Sequence, residues 1–299
     1  MEARKVLRAA LASGPTVLAP GAYDALSAKI VEAAGFSAVY ATGGGISRSM
    51  GYPDVGLLSL TEVVDRLRSI VEAVTVPVIA DADTGYGNAL NVIRAVRTFE
   101  AAGVAALHLE DQVAPKRCGH YEGKEVIPCE EMVLKLRAAL DARREPDLVL
   151  IARTDARAPL GLEEAIRRAK AYAAAGADVV FVEAPQSREE LVEIARRVPV
   201  PLLVNMFEGG KTPLVPLRDL EAMGYRIVII PSDLQRAAIR AMQETAEVIR
   251  RDGDSRAVAQ RLATFQEREA LVGLDRVQAL EARYLRGAAG PGGTGKTVP

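Results

Sequence analysis

Apolar residues recur along this 299-residue chain in short uninterrupted runs at 16–19, 38–42, 77–81, 106–110, 148–153, 179–183, 201–205 and 227–231. Runs of this length without polar alternation predict strands covered on both faces, as in a parallel sheet. Between them, amphipathic stretches at 22–34, 60–73, 91–102, 162–175 and 188–197 predict helices, and a further helix is expected over 1–12. Several helical stretches end in Ala-Gly, at Ala34-Gly35, Ala102-Gly103 and Ala175-Gly176. Glycine there can adopt the left-handed conformation that closes a helix and turns the chain into the next strand. Eight strand–helix units predict an α/β fold, a (β/α)₈ TIM barrel, as a single domain over 1–286 that includes extra C-terminal helices. These are expected at 233–251, capped at Ser232/Asp233, and over 257–285, more helix than one barrel needs and suited to covering a face or a partner subunit. The Gly-rich tail 287–299 is expected to be disordered. Its Gly295-Lys296-Thr297 lacks both the spacing and the strand–helix setting of a phosphate loop.

The ends of the apolar runs carry chemistry: Thr42, Asp81 with Asp83, Glu110, Arg153 with Asp155, Glu183 and Asn205. In a barrel all strand C-termini meet at one mouth, whereas a doubly wound sheet gathers ligands only near its switch point. Polar endings spread over six strands favour closure. Asp81-Ala82-Asp83 places two carboxylates on one side of an extended segment, with Glu110 at the neighbouring strand end, a donor set suited to a hard divalent cation. The competing reading is that the pair caps the turn at Gly85-Tyr86-Gly87. Both histidines, His108 and His120, fall in the window running from Leu107 through Lys116-Arg117-Cys118-Gly119-His120. Cations around Cys118 favour a reactive thiol in a polar loop able to close over substrate; Cys129, among Ile127, Pro128 and Glu130, reads as structural. Thr42-Gly43-Gly44-Gly45 allows backbone amides to approach an anion closely. Tyr40 suits orienting a substrate oxygen, acid–base work or packing. Arg153 suits gripping a carboxylate, and Asp54 and Asn205 are candidate substrate contacts.

Composition narrows the class. Lys+Arg 38 against Asp+Glu 39, 4% aromatic residues and no Trp offer no footprint for nucleic acid. No apolar run approaches the roughly 20 residues that span a bilayer. Two cysteines and no signal-type N-terminus favour a reducing cytoplasm.

The strings Tyr40-Ala41-Thr42-Gly43-Gly44, Asp81-Ala82-Asp83-Thr84-Gly85-Tyr86-Gly87, Glu110-Asp111-Gln112 and Lys116-Arg117-Cys118-Gly119-His120 resemble the isocitrate lyase/phosphoenolpyruvate mutase superfamily over roughly 20–231. The Lys-Arg-Cys-Gly-His string looks like its lyase branch, which includes methylisocitrate lyases, 2,3-dimethylmalate lyases and petal-death-type proteins. The resemblance implies a barrel dependent on Mg²⁺, with Mn²⁺ as an alternative, that swaps its eighth helix between subunits and forms a homo-oligomeric dimer of dimers. It implies Asp81, Asp83 and Glu110 around the metal, Asp83 directly, and Cys118 as general acid, with Tyr40, Lys116, His120 and Glu183 completing the catalytic set. Thr42, Gly43, Gly44, Asp54, Gly119, Arg153, Asn205 and Arg236 would bind a small carboxylate substrate. The segments 205–214 and 181–185 look more like dimethylmalate-lyase and petal-death sequences, and Thr264-Phe265-Gln266-Glu267 lacks the extra Arg of methylisocitrate lyases, although Arg268 lies nearby. The expected activity is cleavage of a 2-hydroxy di- or tricarboxylate, a substituted malate ahead of methylisocitrate, to pyruvate or a related 2-oxo acid plus propionate or succinate. Alternatives are a carboxyphosphonoenolpyruvate phosphonomutase, an oxaloacetate hydrolase or decarboxylase, and a silent scaffold barrel, which the intact acidic and thiol residues disfavour.

Overall fold

A computed structural model describes residues 2–119 and 121–285. In chain order the elements are α1 (Glu2–Ser13), β1 (Val17–Ala22), α2 (Ala25–Ala33), β2 (Val39–Ala41), α3 (Gly43–Ser49), α4 (Leu60–Ala73), β3 (Val78–Asp81), α5 (Ala89–Ala101), β4 (Ala106–Glu110), α6 (Cys129–Ala142) and β5 (Val149–Thr154). They continue with the single turn α7 (Arg157–Leu160), α8 (Leu162–Ala174), β6 (Val179–Val182), α9 (Arg188–Arg197), β7 (Leu202–Asn205), α10 (Leu217–Met223), β8 (Tyr225–Ile230) and α11 (Asp233–Asp252). A 3₁₀ turn (Arg256–Arg261), α12 (Phe265–Val272) and α13 (Leu274–Tyr284) follow. The eight strands pair in parallel and in sequence order, and β8 closes on β1, so the barrel expected from the strand endings is present.

The apolar runs are continuous because each strand has two dry faces. Outward residues such as Ala80, Leu107, Leu109, Leu150, Val180 and Val204 pack under the helices. Inward residues Ile79, Ala106, Val149, Ile151, Val179, Phe181, Leu203 and Ile227 fill the barrel together with Leu7 and Leu11 of α1. The inward column of each strand becomes polar at its C-terminal end. Ile79 is followed two residues on by Asp81, Ile151 by Arg153, Phe181 by Glu183 and Leu203 by Asn205. Side chains alternate with a period of two, so a strand that buries Phe181 inward must aim Glu183 into the same interior, one layer higher. Gly35, Gly103 and Gly176 take positive φ values of 85°, 91° and 106° after α2, α5 and α8, as the Ala-Gly endings predict.

Two sequence expectations change form. Thr42-Gly43-Gly44-Gly45 is not an open nest; Thr42 caps the short helix α3, its hydroxyl accepting from the Gly45 amide at 3.3 Å. Asp81-Ala82-Asp83 is not extended throughout. β3 stops at Asp81, whose carboxylate accepts from the Asp83 amide at 3.0 Å, and Asp83 turns to φ 46°. A short side chain that bonds its own backbone two residues on competes with the ladder and ends the strand.

The chain divides into two compact units, residues 1–241 and the portion from Met242 onward. Within the second, Thr264 and Glu267 form a reciprocal cap on α12, Arg268 lies 4.7 Å over the Phe265 ring and pairs with Glu269, and Arg261 pairs with Glu244. The expected tail lies outside the described residues. Among the described residues no helix is long and apolar enough to cross a membrane.

Candidate active site

At the C-terminal mouth of the barrel a cavity of about 240 Å³ is lined by Tyr40, Thr42, Gly44, Asp54, Asp81, Lys116, Cys118, Gly119, Arg153, Glu183, Asn205 and Arg236. Every one of these was expected from sequence. A larger cavity of about 550 Å³ lies on the other side of the loop after β4, against Val55, Leu57, Val113 and Pro115. It collects none of the inward strand-end groups, so the smaller cavity is the candidate site.

The string Glu110-Asp111-Gln112 divides three tasks between neighbouring residues. Glu110 points inward and is fully buried. Asp111 points outward, where its carboxylate accepts from Thr154 Oγ1, Tyr172 OH and the Asp155 amide at 2.7–2.8 Å, fixing the end of β5. Gln112 grips the loop: its amide nitrogen donates to the Arg117 carbonyl at 2.8 Å, and its oxygen accepts from the Arg117 amide at 2.9 Å. The Cys118 amide then donates to the Asp54 carbonyl at 3.2 Å, which brings the half-buried thiol to the cavity. Gly119 has no room for a side chain. A Cβ there would stand 2.6 Å from Arg153 Nη2 and 2.7 Å from Glu183 Cδ. Gly43 and Gly44 meet the same constraint, against Asp81 Oδ2 and Asp54 Oδ2 at 2.7 Å.

Among the described residues, Asp54, Asp81, Asp83, Glu110, Asp155 and Glu183 share the buried cations Lys116, Lys124 and Arg153. Lys116 Nζ lies 2.5 Å from Asp54 Oδ1 and 3.0 Å from Asp83 Oδ1. Burial works against its charge, but Asp83, Asp81 and Asp54 outweigh it and keep the ammonium protonated. Arg153 Nη1 lies 3.2 Å from Glu110 Oε2, and Nη2 lies 3.3 Å from Glu183 Oε2. Burial also raises the Asp81 carboxyl, yet the charges of Lys116 and Arg153 hold it below the usual carboxylate range. Asp83 is pushed up to about 6 by burial and by Asp81 and Asp54, against the pull of Lys116. Burial lifts Glu110 well above the carboxylate range, with Arg153 opposing. Tyr40 OH lies 2.9 Å from His108 Nε2, and burial together with Asp81 raises the phenol well above its usual value, so it stays a donor. His108 is fully buried, and that burial lowers its pKa, favouring the neutral ring.

The donor set suits a divalent ion. Glu110 Oε1 is buried with no hydrogen-bond partner among the described residues, and Glu110 Oε2 and Asp83 Oδ1 meet only the ion pairs with Arg153 and Lys116; so crowded an acidic set is costly unless a cation or its water joins it. Among the described residues no three His, Cys, Asp or Glu side chains come together closely enough to hold an ion alone. Lys116 stands against Asp83, and Arg153 against Glu110. Mg²⁺ commonly takes one or two carboxylates and completes its shell with water and substrate, so this set fits it.

His120 lies outside the described residues. Asp83, Glu110 and Gly43 do not line the cavity; they sit directly behind residues that do. Arg48, Tyr121, Phe207 and Ser232 line it and were missed from sequence. Phe207 stands two residues beyond Asn205 and could have been found by extending the β7 column. Arg48, from the turn of α3 after the glycines, carried no pattern of its own.

Residues 7–250 match the family described as phosphoenolpyruvate phosphomutase. The chain is 48% identical over 282 residues to a 2,3-dimethylmalate lyase of Eubacterium barkeri, covering 94% of this chain and 98% of that protein. It is 47% identical to a chloroplastic carboxyvinyl-carboxyphosphonate phosphorylmutase of Arabidopsis thaliana, covering 92% and 83%, and 44% identical to a 2-methylisocitrate lyase of Aeropyrum pernix, covering 95% and 91%. Among solved structures, a phosphoenolpyruvate phosphomutase from Streptomyces platensis superposes with a TM-score of 0.90 at 38% identity, covering 95% of this chain and 99% of that one. Fold, strand-end chemistry and relatives agree: the chain is an enzyme of the phosphoenolpyruvate mutase/isocitrate lyase superfamily, with carbon–carbon lyases among its near relatives.

Proposed function

We propose that this enzyme is a Mg²⁺-dependent carbon–carbon lyase that cleaves a 2-hydroxy dicarboxylate of the 2,3-dimethylmalate type, giving pyruvate and propionate. The observation that carries the reading is one cavity lined by a thiol on a loop, Arg153 and Asn205, with the crowded carboxylates Asp83 and Glu110 beside it. Asp83 would hold the ion directly, with Asp81 and Glu110 around it, and Mn²⁺ could replace Mg²⁺. When bound, the ion supplies Lewis-acid polarisation and a fixed site for the 2-hydroxy acid.

The residues of the chain do the rest. Arg153 and the first amides of α3, at Gly43 and Gly44, take the C1 carboxylate, while Asn205 and Arg236 take the distal one. With Tyr40 and Lys116 held protonated, the proton of the 2-hydroxyl passes to a carboxylate, which we assign to Glu183. The C2–C3 bond breaks as C2=O forms. Its electron pair moves to C3, beside the departing carboxylate, and Cys118 Sγ–H delivers a proton there. Gly119, seated on Arg153 and Glu183, lets the loop lie flat and keeps water from the carbanion.

A homo-oligomer is part of the proposal. Leu234, Ile239, Met242 and Ile249 of α11 are exposed apolar residues that suit burial by another copy of the chain. The phosphonate reading follows from the phosphorylmutase relative, which matches almost as well as the dimethylmalate lyase. Turnover with Mg²⁺ tests the proposal, read as coupled pyruvate release for 2,3-dimethylmalate and 2-methylisocitrate, as oxalate formation for oxaloacetate, and by phosphorus NMR for a carboxyphosphonate. Turnover highest on 2,3-dimethylmalate is expected; turnover of the phosphonate alone would overturn the lyase assignment.

A further inference from the structure

Lys124 is a buried cation that the mechanism above does not use. Its side chain is 1% exposed, six residues beyond Cys118 on the returning arm of the same loop. The ammonium donates to the Gly119 carbonyl at 2.5 Å and to Asp155 Oδ1 at 2.8 Å. Asp155 in turn accepts from Arg153 Nε at 2.8 Å and Nη2 at 3.0 Å. An unbroken polar chain therefore runs from the loop backbone beside the thiol, through Lys124 and Asp155, to the guanidinium that faces the cavity. Asp155 is itself fixed from behind, because its amide donates to Asp111 Oδ1 at 2.8 Å. Burial would raise the Asp155 carboxyl, but Arg153 and Lys124 outweigh it, so the link is anionic at neutral pH.

We propose that Lys124 is a positioning residue: its ammonium latches the Gly119 carbonyl to the Asp155–Arg153 pair and so holds Cys118 over the bound substrate. The two ends of the loop are already tied, by the Gln112–Val126 bridge and by Val113 N to Glu125 O at 2.9 Å. The first arm is held by Lys116 and by the Cys118 amide on Asp54; the returning arm reaches the tip through Lys124, and Gly119 is the tip residue that rests on Arg153 and Glu183. Lifting the tip breaks the Gly119 contact and leaves an ammonium with one partner in a dry site, whereas lowering it restores a charge-assisted bond. Such a bond shifts the ratio of closed to open loop by about 10- to 100-fold. Arg153 shares Asp155 with Lys124, so a carboxylate drawn to Arg153 is read by the loop through one shared anion. The inference rests on Cys118 being the acid, but not on which substrate is cleaved.

The test uses the full chain with Mg²⁺ and oxalate, a stable mimic of a pyruvate enolate. Alkylation of Cys118 by iodoacetamide is followed by peptide mass spectrometry, which separates it from Cys129, and hydrogen exchange is read over 113–125. In the wild type, Mg²⁺ with oxalate is expected to slow Cys118 alkylation. In Lys124→Met that protection falls by about 10-fold or more, exchange over 113–125 rises, kcat falls, and oxalate affinity and melting temperature stay near wild type. Lys124→Gln keeps a donor for Gly119 but no charge for Asp155, and is expected to lie between; it carries the same readouts if the Met variant does not fold. Equal protection in wild type and variants overturns the proposal, as does absence of protection in the wild type or loss of turnover with protection intact. Alkylation needs no turnover, so failure of the acid assignment, seen as full activity in Cys118→Ser, and failure of the lyase reading, seen as turnover of the phosphonate alone, are each distinguished from failure of the latch.

Discussion

The two ends of the barrel treat buried charge in opposite ways. At the N-terminal end Asp178 receives Arg8 at 2.7 Å, Arg143 at 2.8 Å and the Leu150 amide at 2.8 Å, while Arg4 is spent on the carbonyls of Val104 and Glu100. At the C-terminal end Glu110 and Asp83 each meet a single cation, Arg153 at 3.2 Å and Lys116 at 3.0 Å, Glu110 Oε1 has no partner among the described residues, and both cations are shared with other carboxylates. A saturated anion stabilises the fold. A crowded, unsaturated set costs stability and is retained where a ligand completes it. The same inward columns link the two, apolar through Ile151 and Phe181 and charged two residues later at Arg153 and Glu183.

Substitutions at the two ends should therefore separate activity from stability. The largest effect is expected for Asp83→Ala, with turnover falling about 10⁴-fold from the loss of a metal contact worth several kcal/mol; a Mg²⁺ titration of initial rates checks it, and unchanged Mg²⁺ dependence would refute the ligand assignment. Cys118→Ser should lower cleavage about 10³-fold, the range for a lost general acid, while oxalate and Mg²⁺ still bind by calorimetry. Wild-type turnover in that variant would remove the thiol from the mechanism. Asp178→Ala should instead leave kcat near wild type at moderate temperature and lower unfolding free energy by about 2–3 kcal/mol, because Arg8 and Arg143 lose a partly buried partner. A selective loss of kcat there would break the contrast. Arg236→Gln is expected to raise KM about 10-fold with kcat little changed, as for a charged hydrogen bond made equally in ground and transition states. Glu110→Gln sharpens the comparison most finely. Burial already disfavours the charged form of Glu110, so a neutral amide of the same shape should leave the melting temperature near wild type while activity drops, and a clear fall in melting temperature would class Glu110 with the saturated anions.

The sequence was informative where geometry is local. Period-two alternation carries Asp81, Glu110, Arg153, Glu183 and Asn205 from apolar runs to the mouth, and the loop string places Cys118 beside them. Two kinds of feature were not legible. The left-handed turn at Asp83 arises from a bond to Asp81, which competes with the extended conformation that spacing alone suggests. Lys124 and Arg48 belong to the site through folding of a loop and a helical turn, where no periodicity operates. Lys124 reaches Asp155, thirty-one residues away, only because Asp111 has fixed the end of β5.

Cleavage is expected to depend on a divalent ion held by the crowded carboxylates at the mouth. The direct measurement is pyruvate release from 2,3-dimethylmalate before and after chelation with EDTA, followed by addition of excess Mg²⁺. Turnover should be lost on chelation and return with Mg²⁺ in the wild type but not in Asp83→Ala. Turnover that persists at full rate in EDTA would contradict it.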